Sequence, residues 1–299
     1  MKNIAIAGVF ILVMGFTGCS FIGPCIQGFG PVMVDVRDLD GFTAVSNTES
    51  FEVRVTQSDT FAVEVEAQEN LIQFIETYVS GGTLIVKTRN GECINSIAPI
   101  LVYVSLPELT EIRNTGSGKL SADRADSDEF EITNTGSGKI SIDSVFALSA
   151  ALKNSGSGDL SMQAAYVNEV QVVQTGSGEI DAGTVYGAAL LDVNHTSSGS
   201  VYATLIDGVK VDARLTGSGR ITLWGNAETA GYYLSASGKI DAIELMVDDA
   251  EVSVSGSGKI YVYATDFLDV SISASGNVIY RGNPMITTRI TGSGSLRPY

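Results

Sequence analysis

The sequence predicts an all-β protein whose main part is a parallel β-solenoid (β-helix) of about ten coils of ~20 residues. Three observations predict this fold. A short motif ending in Ser-Gly occurs ten times, apolar and polar residues alternate on both sides of it, and glycine closes every copy. A repeat of this length cannot bury its apolar face alone, so successive repeats are expected to stack and share one core.

The first copy of the motif begins at Asn114, and the others begin at residues 134, 154, 174, 195, 215, 234, 254, 272 and 290. The interval is 20 residues in the first half and varies from 18 to 21 in the second. A glycine at a fixed place in each coil suits a corner that needs a positive φ or one too crowded for a Cβ. We therefore assign residues 111–299 to the solenoid.

The residues around the motif alternate in the way expected of half-buried strands. Leu120 and Ile140 stand at corresponding apolar positions, whereas Lys119 and Ser121 flank Leu120 with polar side chains. Such period-two alternation is typical of strands with one face in a core. By the same parity Asn114, its equivalents and His195 point inward. We expect these amides to hydrogen-bond from coil to coil, with His195 as one rung of that row and not as a catalytic base.

The central serine of each motif predicts a regular row of hydroxyl groups, here called the hydroxyl ladder, which includes Ser117, Ser137, Ser157, Ser177, Ser198 and Ser218. Two interpretations stay open. Small residues are required beside glycines in a tight turn, or the ladder is a flat binding face for a repetitive ligand such as a polysaccharide or a second copy of the chain. Ice binding is disfavoured because the equivalent columns mix Ser with Thr.

The N-terminus predicts export. Lys2 precedes an uncharged, mostly apolar run, Ile4 to Gly18, which is too short for a comfortable membrane span of ~20 residues but suits a signal peptide over residues 1–18. Its end, Phe16-Thr17-Gly18-Cys19, resembles the lipobox of bacterial lipoproteins, which implies that Cys19 is the lipidation site. An ordinary signal peptide cleaved elsewhere and a short uncleaved anchor stay open. Residues 19–34 are expected to form a tether.

Lipidation of Cys19 would leave Cys25 and Cys93, which in an oxidising compartment either form a disulfide or remain two thiols. Residues 35–110 lack the motif but alternate like strands, with one short helix expected between Glu69 and Tyr78. Because the open end of a solenoid must be covered, we expect a strand-rich N-terminal cap here. A small separate β domain is the alternative.

Charge and motif spacing exclude several function classes. Lys+Arg 18 against Asp+Glu 34 gives a net charge of −16, which argues against nucleic acid as a partner. Gly-Ser-Gly-Lys resembles a phosphate loop, but the spacing of that loop would require a glycine at Thr133 and a hydroxyl residue at Ile140. We expect no nucleotide and no cofactor.

One pair of carboxylates stands out for chemistry. Asp159 and Glu179 occupy the same outward column on adjacent coils, hence about 5 Å apart by the strand spacing. Glycosidic acid–base chemistry needs two carboxyl groups ~5–9 Å apart. A solvated outer face with charges of both signs is the simpler interpretation. The pair is also a weak candidate for surface calcium, and no other metal site is predicted.

Four features carry a family resemblance: Phe51-Glu-Val, Leu106-Pro107-Glu108-Leu109, the Gly-Ser-Gly copies and Gly282-Asn283-Pro284. Through them, residues 40–299 resemble the auto-transporter adhesin head GIN domain family, a domain of unknown function found in bacterial lipoproteins. The resemblance implies the solenoid fold and brings no catalytic residues. We expect a non-enzymatic, lipid-anchored protein of the bacterial cell envelope, at the outer membrane and facing the periplasm or the cell surface. It would serve as a scaffold or adhesive, glycan-binding module. A polysaccharide lyase or hydrolase is the alternative.

Overall fold

The computed structural model describes residues 24–90 and 92–299. These residues are almost entirely β-strand, with one short 3-10 helix, Ile72–Phe74, and no α-helix among them. Twenty-one strands belong to one continuous sheet that winds into a solenoid, and two more form a separate parallel pair. None of the helical structure described here is long and apolar enough to cross a membrane. The predicted fold class is confirmed.

The strands fall into two groups along the chain. Those before the repeat are β1 (Ile26–Gln27), β2 (Val32–Arg37), β3 (Ala44–Asn47), β4 (Glu52–Gln57), β5 (Ala62–Gln68), β6 (Ile75–Ser80), β7 (Thr83–Thr88), β8 (Ile94–Asn95) and β9 (Leu101–Leu106). Those of the repeat are β10 (Glu111–Asn114), β11 (Lys119–Asp126), β12 (Glu129–Asn134), β13 (Lys139–Asn154), β14 (Leu160–Gln174), β15 (Glu179–Tyr186), β16 (Leu190–His195), β17 (Ser200–Leu215), β18 (Arg220–Leu234), β19 (Lys239–Val254), β20 (Lys259–Ile272), β21 (Asn277–Arg281), β22 (Met285–Ile290) and β23 (Ser295–Pro298).

Each coil of the repeat lies on the previous one through parallel strand pairing. In the β13–β14 pair, Ile140 lies opposite Leu160 and Leu152 lies opposite Val172, so equivalent residues of successive motifs are direct neighbours. Parallel strands lie ~4.8 Å apart, which sets the rise per coil. The inward residues of all coils therefore merge into one buried apolar core that runs through the stack.

The closing glycine of the motif lies against the backbone of the preceding coil. A Cβ on Gly158 would overlap the carbonyl oxygen of Gly138, and a Cβ on Gly138 would overlap that of Gly118. No glycine of the ten motifs has a positive φ. Of the two reasons for glycine that the sequence left open, the structure shows crowding: the coils approach so closely at this corner that no side chain fits.

The inward amides close the same corner from inside. The Asn154 amide donates a hydrogen bond to the carbonyl oxygen of Gly158 (2.8 Å), and Asn134 donates equivalently to Gly138 (3.0 Å). A coil-to-coil amide bond, the arrangement expected from the sequence, joins Asn114 to Asn134 at 3.4 Å. Each amide thus satisfies a buried carbonyl of its own corner, because the carbonyl lies nearer than the next amide.

The stacked coils extend below residue 111. Strands β3 and β4 pair in parallel with β10 and β11, so residues 44–57 form the coil directly beneath the first Gly-Ser-Gly coil. Strands β7 and β9 pair in parallel with the opposite edges of β3 and β4, so residues 83–106 form the coil beneath that. Most of the region predicted as a cap, residues 35–110, therefore continues the same sheet.

Antiparallel strands cover the lower end of this sheet. Strand β5 pairs antiparallel with β9, and β2 pairs antiparallel with β5. The helix expected between Glu69 and Tyr78 is wrong beyond a single 3-10 turn, because β6 occupies Ile75–Ser80 and forms a hairpin with β7. Gly81 and Gly82 both have positive φ in its two-residue turn, the backbone that joins tightly paired strands.

A disulfide fixes the start of the described chain to this lower end. Cys25 is bonded to Cys93, with their Cα atoms 4.5 Å apart. The neighbouring strands β1 and β8 pair in parallel, with Ile26 opposite Ile94. The segment after Cys25 is therefore held against the cap by a covalent bond as well as by backbone hydrogen bonds.

One column of inward residues stands four positions before the first glycine position of each motif, and Tyr232 is its one aromatic residue. Tyr232 lies opposite Ala213 of the previous coil. Its side chain is fully buried, and its hydroxyl has no hydrogen-bond partner in the described structure. Burial raises the pKa of this hydroxyl. An unpartnered buried hydroxyl loses its hydration without compensation, so Tyr232 weakens the core that its ring fills.

Crowding at the glycine corner predicts that substitution of Gly158 destabilises the protein more than substitution of Gly187, which lies outside the motif. Gly158→Ala should lower the free energy of unfolding by about 3 kcal/mol, because the new methyl must displace backbone. At Gly187, where the space is open but φ is +63°, Ala should cost about 1–2 kcal/mol. Urea denaturation followed by circular dichroism measures both. Equal losses would contradict crowding as the reason for the corner glycine.

Removing the buried hydroxyl should stabilise the core. We expect Tyr232→Phe to raise the free energy of unfolding by about 1 kcal/mol, since the ring stays and only the unpartnered polar group leaves. The matched control is Tyr233→Phe, whose half-exposed hydroxyl donates to Glu251 at 3.4 Å and should matter little. The same denaturation measurement tests both, and a destabilised Tyr232→Phe variant would argue against this account.

Candidate functional site

The hydroxyl ladder lies on the outside of the glycine corner. All six serines predicted for it, Ser117, Ser137, Ser157, Ser177, Ser198 and Ser218, are exposed. The row continues in later coils, where the hydroxyl oxygens of Ser237 and Ser257 are 3.2 Å apart. A second exposed row of Ser and Thr precedes the first glycine position of each motif. The corner therefore presents two parallel rows of hydroxyl groups that repeat once per coil.

A column of cations runs beside the ladder. It stands one residue after the closing glycine, and we call Lys119, Lys139, Arg220, Lys239 and Lys259 the cationic column. Arg220 lies opposite Lys239, which lies opposite Lys259. Five of the chain's 18 Lys and Arg thus occupy one column. Among the ion pairs of the described residues, Lys239 binds Asp241 at 2.6 Å, and none involves Lys139, Arg220 or Lys259.

Two shallow grooves lie between the ladder and this column. The lower groove has a volume of about 440 Å³, and its lining includes Ser117, Ser137, Lys119, Lys139 and Asp159. The upper groove has a volume of about 300 Å³, and its lining includes Ser198, Ser218, Ser237, Arg220 and Lys239. The lining of both combines hydroxyl groups with cations, which together can bind the hydroxyl and carboxylate groups of an extended polar ligand.

Asp159 and Glu179 separate the two basic parts of the column. They lie on adjacent coils, and the backbone N–H of Glu179 donates to the Asp159 carboxylate at 3.3 Å. Partial burial, and then the nearby Asp159 and Asp181, raise the pKa of Glu179. In the described part of the chain no three His, Cys, Asp or Glu side chains are grouped for metal binding. A calcium site at this pair would therefore rest on two carboxylates.

His195 lies inside the corner, away from solvent. Its side chain is fully buried, with Nε2 2.8 Å from the carbonyl oxygen of Gly199 and Nδ1 3.2 Å from that of Gln174. Nε2 therefore occupies the same place relative to Gly199 as the Asn154 amide does to Gly158. The geometry is that of a rung in the inner column, and the ring cannot reach a ligand on the outer surface.

A larger groove on another face has the opposite charge. Its volume is about 750 Å³, its lining includes the small side chains of Ser149 and Ala151, and its carboxylates are those of Glu108, Glu111, Asp128, Glu129, Glu131, Glu169 and Asp192. Three of these carboxylates are ion-paired and the other four have no such pair among the described residues; the pairs are Lys153–Glu131 at 2.7 Å, Arg113–Glu111 at 2.6 Å and Arg214–Asp192 at 3.2 Å. This groove was not predicted from the sequence, although Glu111 and Glu131 share a column. An acidic ligand is repelled here, in contrast to the corner.

Aromatic residues form a further column that was not predicted from the sequence. Phe146, Tyr166 and Tyr186 stack with ring centroids 4.9 and 4.8 Å apart, and the guanidinium of Arg124 lies 4.5 Å from the Phe146 centroid. The 20-residue spacing of these aromatics was the available signal. Because each ring covers the face of the next, the column offers edges and not faces to solvent, so it is no platform for stacking a sugar ring.

The remaining predicted site residue, Cys19, lies outside the described residues. Cys25 and Cys93 are bonded to each other, as described above. The sequence-predicted residues that the structure describes thus fall into separate places: the hydroxyl ladder and Asp159/Glu179 lie on one corner, and Cys25 and Cys93 lie at the lower end of the stack.

Comparison with known proteins agrees with this architecture. A crystal structure described as a putative adhesin from Parabacteroides distasonis is 20% identical, with a TM-score of 0.56 over 92% of this chain and 99% of that chain. A second such structure, from Parabacteroides merdae, is 21% identical, with a TM-score of 0.55 over 92% and 98%. At this identity the likeness shows the fold. No curated protein matches the chain.

The family assignment rests on a direct match to the sequence. The model described as "Putative auto-transporter adhesin, head GIN domain" matches residues 41–205 and 184–284, which is most of the chain and includes nearly all copies of the motif. The stacked coils, the glycine corner and this match lead to one conclusion: the chain belongs to the auto-transporter adhesin head GIN domain family.

Proposed function

We propose that this chain is a non-enzymatic, lipid-anchored protein of the bacterial cell envelope that binds an extended acidic polysaccharide along its glycine corner. The observation that carries the proposal is the pairing of the hydroxyl ladder with the cationic column. A linear polymer laid along the stack meets the same groups in each coil, so weak contacts add up over its length. The family's adhesin designation supports a role in surface binding.

Electrostatics favour the corner over the other faces. The net charge is −16, so an acidic ligand is repelled by the molecule as a whole and strongly by the acidic groove. The upper part of the cationic column, Arg220, Lys239 and Lys259, is where cations from three successive coils adjoin. Because Arg220 and Lys259 are exposed and Lys239 is partly exposed, binding should weaken as salt rises. A polysaccharide bound at these upper coils leaves the lower end of the stack, near the proposed anchor, unoccupied.

A carbohydrate-active enzyme is the second candidate, and one observation favours it. Glu179 has a raised pKa beside a second carboxylate, Asp159, and a proton donor held next to another carboxylate is what glycosidic cleavage uses. Turnover of an acidic polysaccharide that is abolished by Glu179→Gln would replace the adhesive proposal. Binding without turnover in both forms would retain it.

A pair of arginine variants tests the binding face. Arg220→Gln should weaken binding to an acidic polysaccharide on a glycan array about fivefold, the loss of one exposed charge-assisted contact. Arg289→Gln removes the same exposed charge from the last coil, away from the cationic column, and should leave binding unchanged. Equal losses in both would show that only total charge matters, which would refute the corner as the site.

Introduction of negative charge on the hydroxyl ladder provides a second test of the binding face. The double variant Ser218→Glu/Ser237→Glu places carboxylates in the upper groove and should abolish binding to acidic glycans, while circular dichroism stays unchanged because both side chains are exposed. Solution mass measurement of the same samples reports self-association. If the parent chain forms dimers that the double variant loses, with no glycan bound by either, the ladder is a self-association face instead.

The carboxylates also predict opposite pH effects. A raised pKa means that the folded state holds its proton more tightly than the unfolded state, so ionised Glu179 lowers stability above pH 4.5. Glu179→Gln should raise the melting temperature at pH 7, with the gain vanishing near pH 4. For Glu131, burial is outweighed by hydrogen bonds from Lys153 and Thr133, which lower its pKa, so Glu131→Gln should lower the melting temperature at pH 7. Calorimetry across this range measures both, and shifts of the same sign would contradict the assignment.

A further inference from the structure

Exposed apolar side chains collect at the lower end of the stack, far from the corner groove of the upper coils. We call Phe29, Val32, Val34, Val36 and Ile97 the basal patch. Phe29 is 69% exposed, Val36 69% and Ile97 82%, and Val32 and Val34 are 45% and 56% exposed. Large apolar groups exposed together on one part of a surface commonly mark a contact with a partner or a membrane.

Hydrogen bonds around Gln68 hold these residues in one region. Val32 lies directly opposite Gln68 in the β2–β5 pair, and the backbone N–H of Ile97 donates to the Gln68 side-chain oxygen at 3.1 Å. The backbone N–H of Phe29 donates to Asn70 at 2.8 Å, two residues further on. Val34 and Val36 follow Val32 on the same face of β2 by strand alternation.

The strand that carries the valines is also an open edge. Strand β2 pairs with β5 on one side and with no other strand of the described residues. An exposed apolar edge strand invites association unless something covers it. The basal patch therefore combines apolar side chains with unpaired backbone groups.

The proposed lipid anchor lies close to this patch along the chain. Five residues separate Cys19 from Cys25, and Cys25 is fixed to the cap by its disulfide to Cys93. Even fully extended, six residue steps span only about 20 Å. An acyl group on Cys19 thus holds the Cys25–Cys93 disulfide within this distance of the bilayer surface, and Phe29 and Ile97 each follow one of these cysteines by four residues.

We infer that the basal patch is a membrane-contact face that rests in the interfacial region of the bilayer holding the anchor. The inference depends on the lipid anchoring in the proposed function. The anchor keeps the basal patch close to the bilayer surface, so burial of its apolar side chains there adds to the membrane affinity of the anchor. Glu66 and Glu64 lie opposite Val34 and Val36, so the face suits neutral headgroups better than anionic ones.

Hydrogen–deuterium exchange on the acylated full chain in phosphatidylcholine nanodiscs tests the contact. The amides of β2 should exchange at least tenfold more slowly than in the variant Phe29→Ser/Ile97→Ser, which keeps the anchor. Strand β22, Met285–Ile290, is the internal control, because it is an equally exposed edge strand in the last coil and should exchange alike in both proteins. Anionic phosphatidylglycerol in the nanodisc should reduce the protection of β2.

Three results would overturn the inference. If mass spectrometry shows acylated Cys19 but β2 exchanges as fast as β22, the anchoring stands and the membrane-contact face does not. If the protection of β2 increases with the number of protein molecules per nanodisc and does not depend on lipid composition, the basal patch is an interface between two copies. If Cys19 carries no acyl chain, the anchoring fails and the inference fails with it.

Discussion

The close approach of backbone to backbone at the glycine corner determines the rest of this structure. Each closing glycine leaves room for the carbonyl oxygen of the coil below, and any side chain there would force the coils apart. The approach fixes the register of the whole stack, because strands on both sides of the corner must then pair residue for residue. The backbone contact at the closing glycines therefore aligns the outer hydroxyl groups and cations, although their own side chains take no part in that contact.

The features that could be predicted from the sequence are those that repeat. Ten motif copies with alternating neighbours sufficed for the solenoid, the inward column and the exposed serines, because each copy strengthens the same interpretation. The coil of residues 44–57 escaped detection because it has no Gly-Ser-Gly. Phe51 supplies the corner carbonyl there, to which the Asn47 amide donates at 3.0 Å, and Asn47 marks the inward position of that coil. The helix expected near Tyr78 is wrong because the apolar spacing there fits a strand as well as a helix, and the Gly81-Gly82 turn that follows favours a hairpin.

Net charge proved a poor guide to the surface. An excess of acids excludes some partners, but it does not show that cations gather in one column while carboxylates line a groove on another face. Alignment of the motif copies contains this information, since equivalent positions become neighbours in space. The aromatic column shows the limit of that approach: its positions can be read from spacing, but whether ring faces or ring edges meet the solvent depends on side-chain orientation.

The order of the lowest coils has a consequence for how the molecule assembles. Residues 44–57 lie between the coil of residues 83–106 and the coil of residues 111–126, both of which come later in the chain. On both of its edges, this early segment therefore pairs with segments that follow it in the chain. During N-to-C emergence, the part next to the proposed anchor closes only after residue 106 has arrived. Each coil after residue 126, in contrast, pairs with the coil that precedes it in the chain.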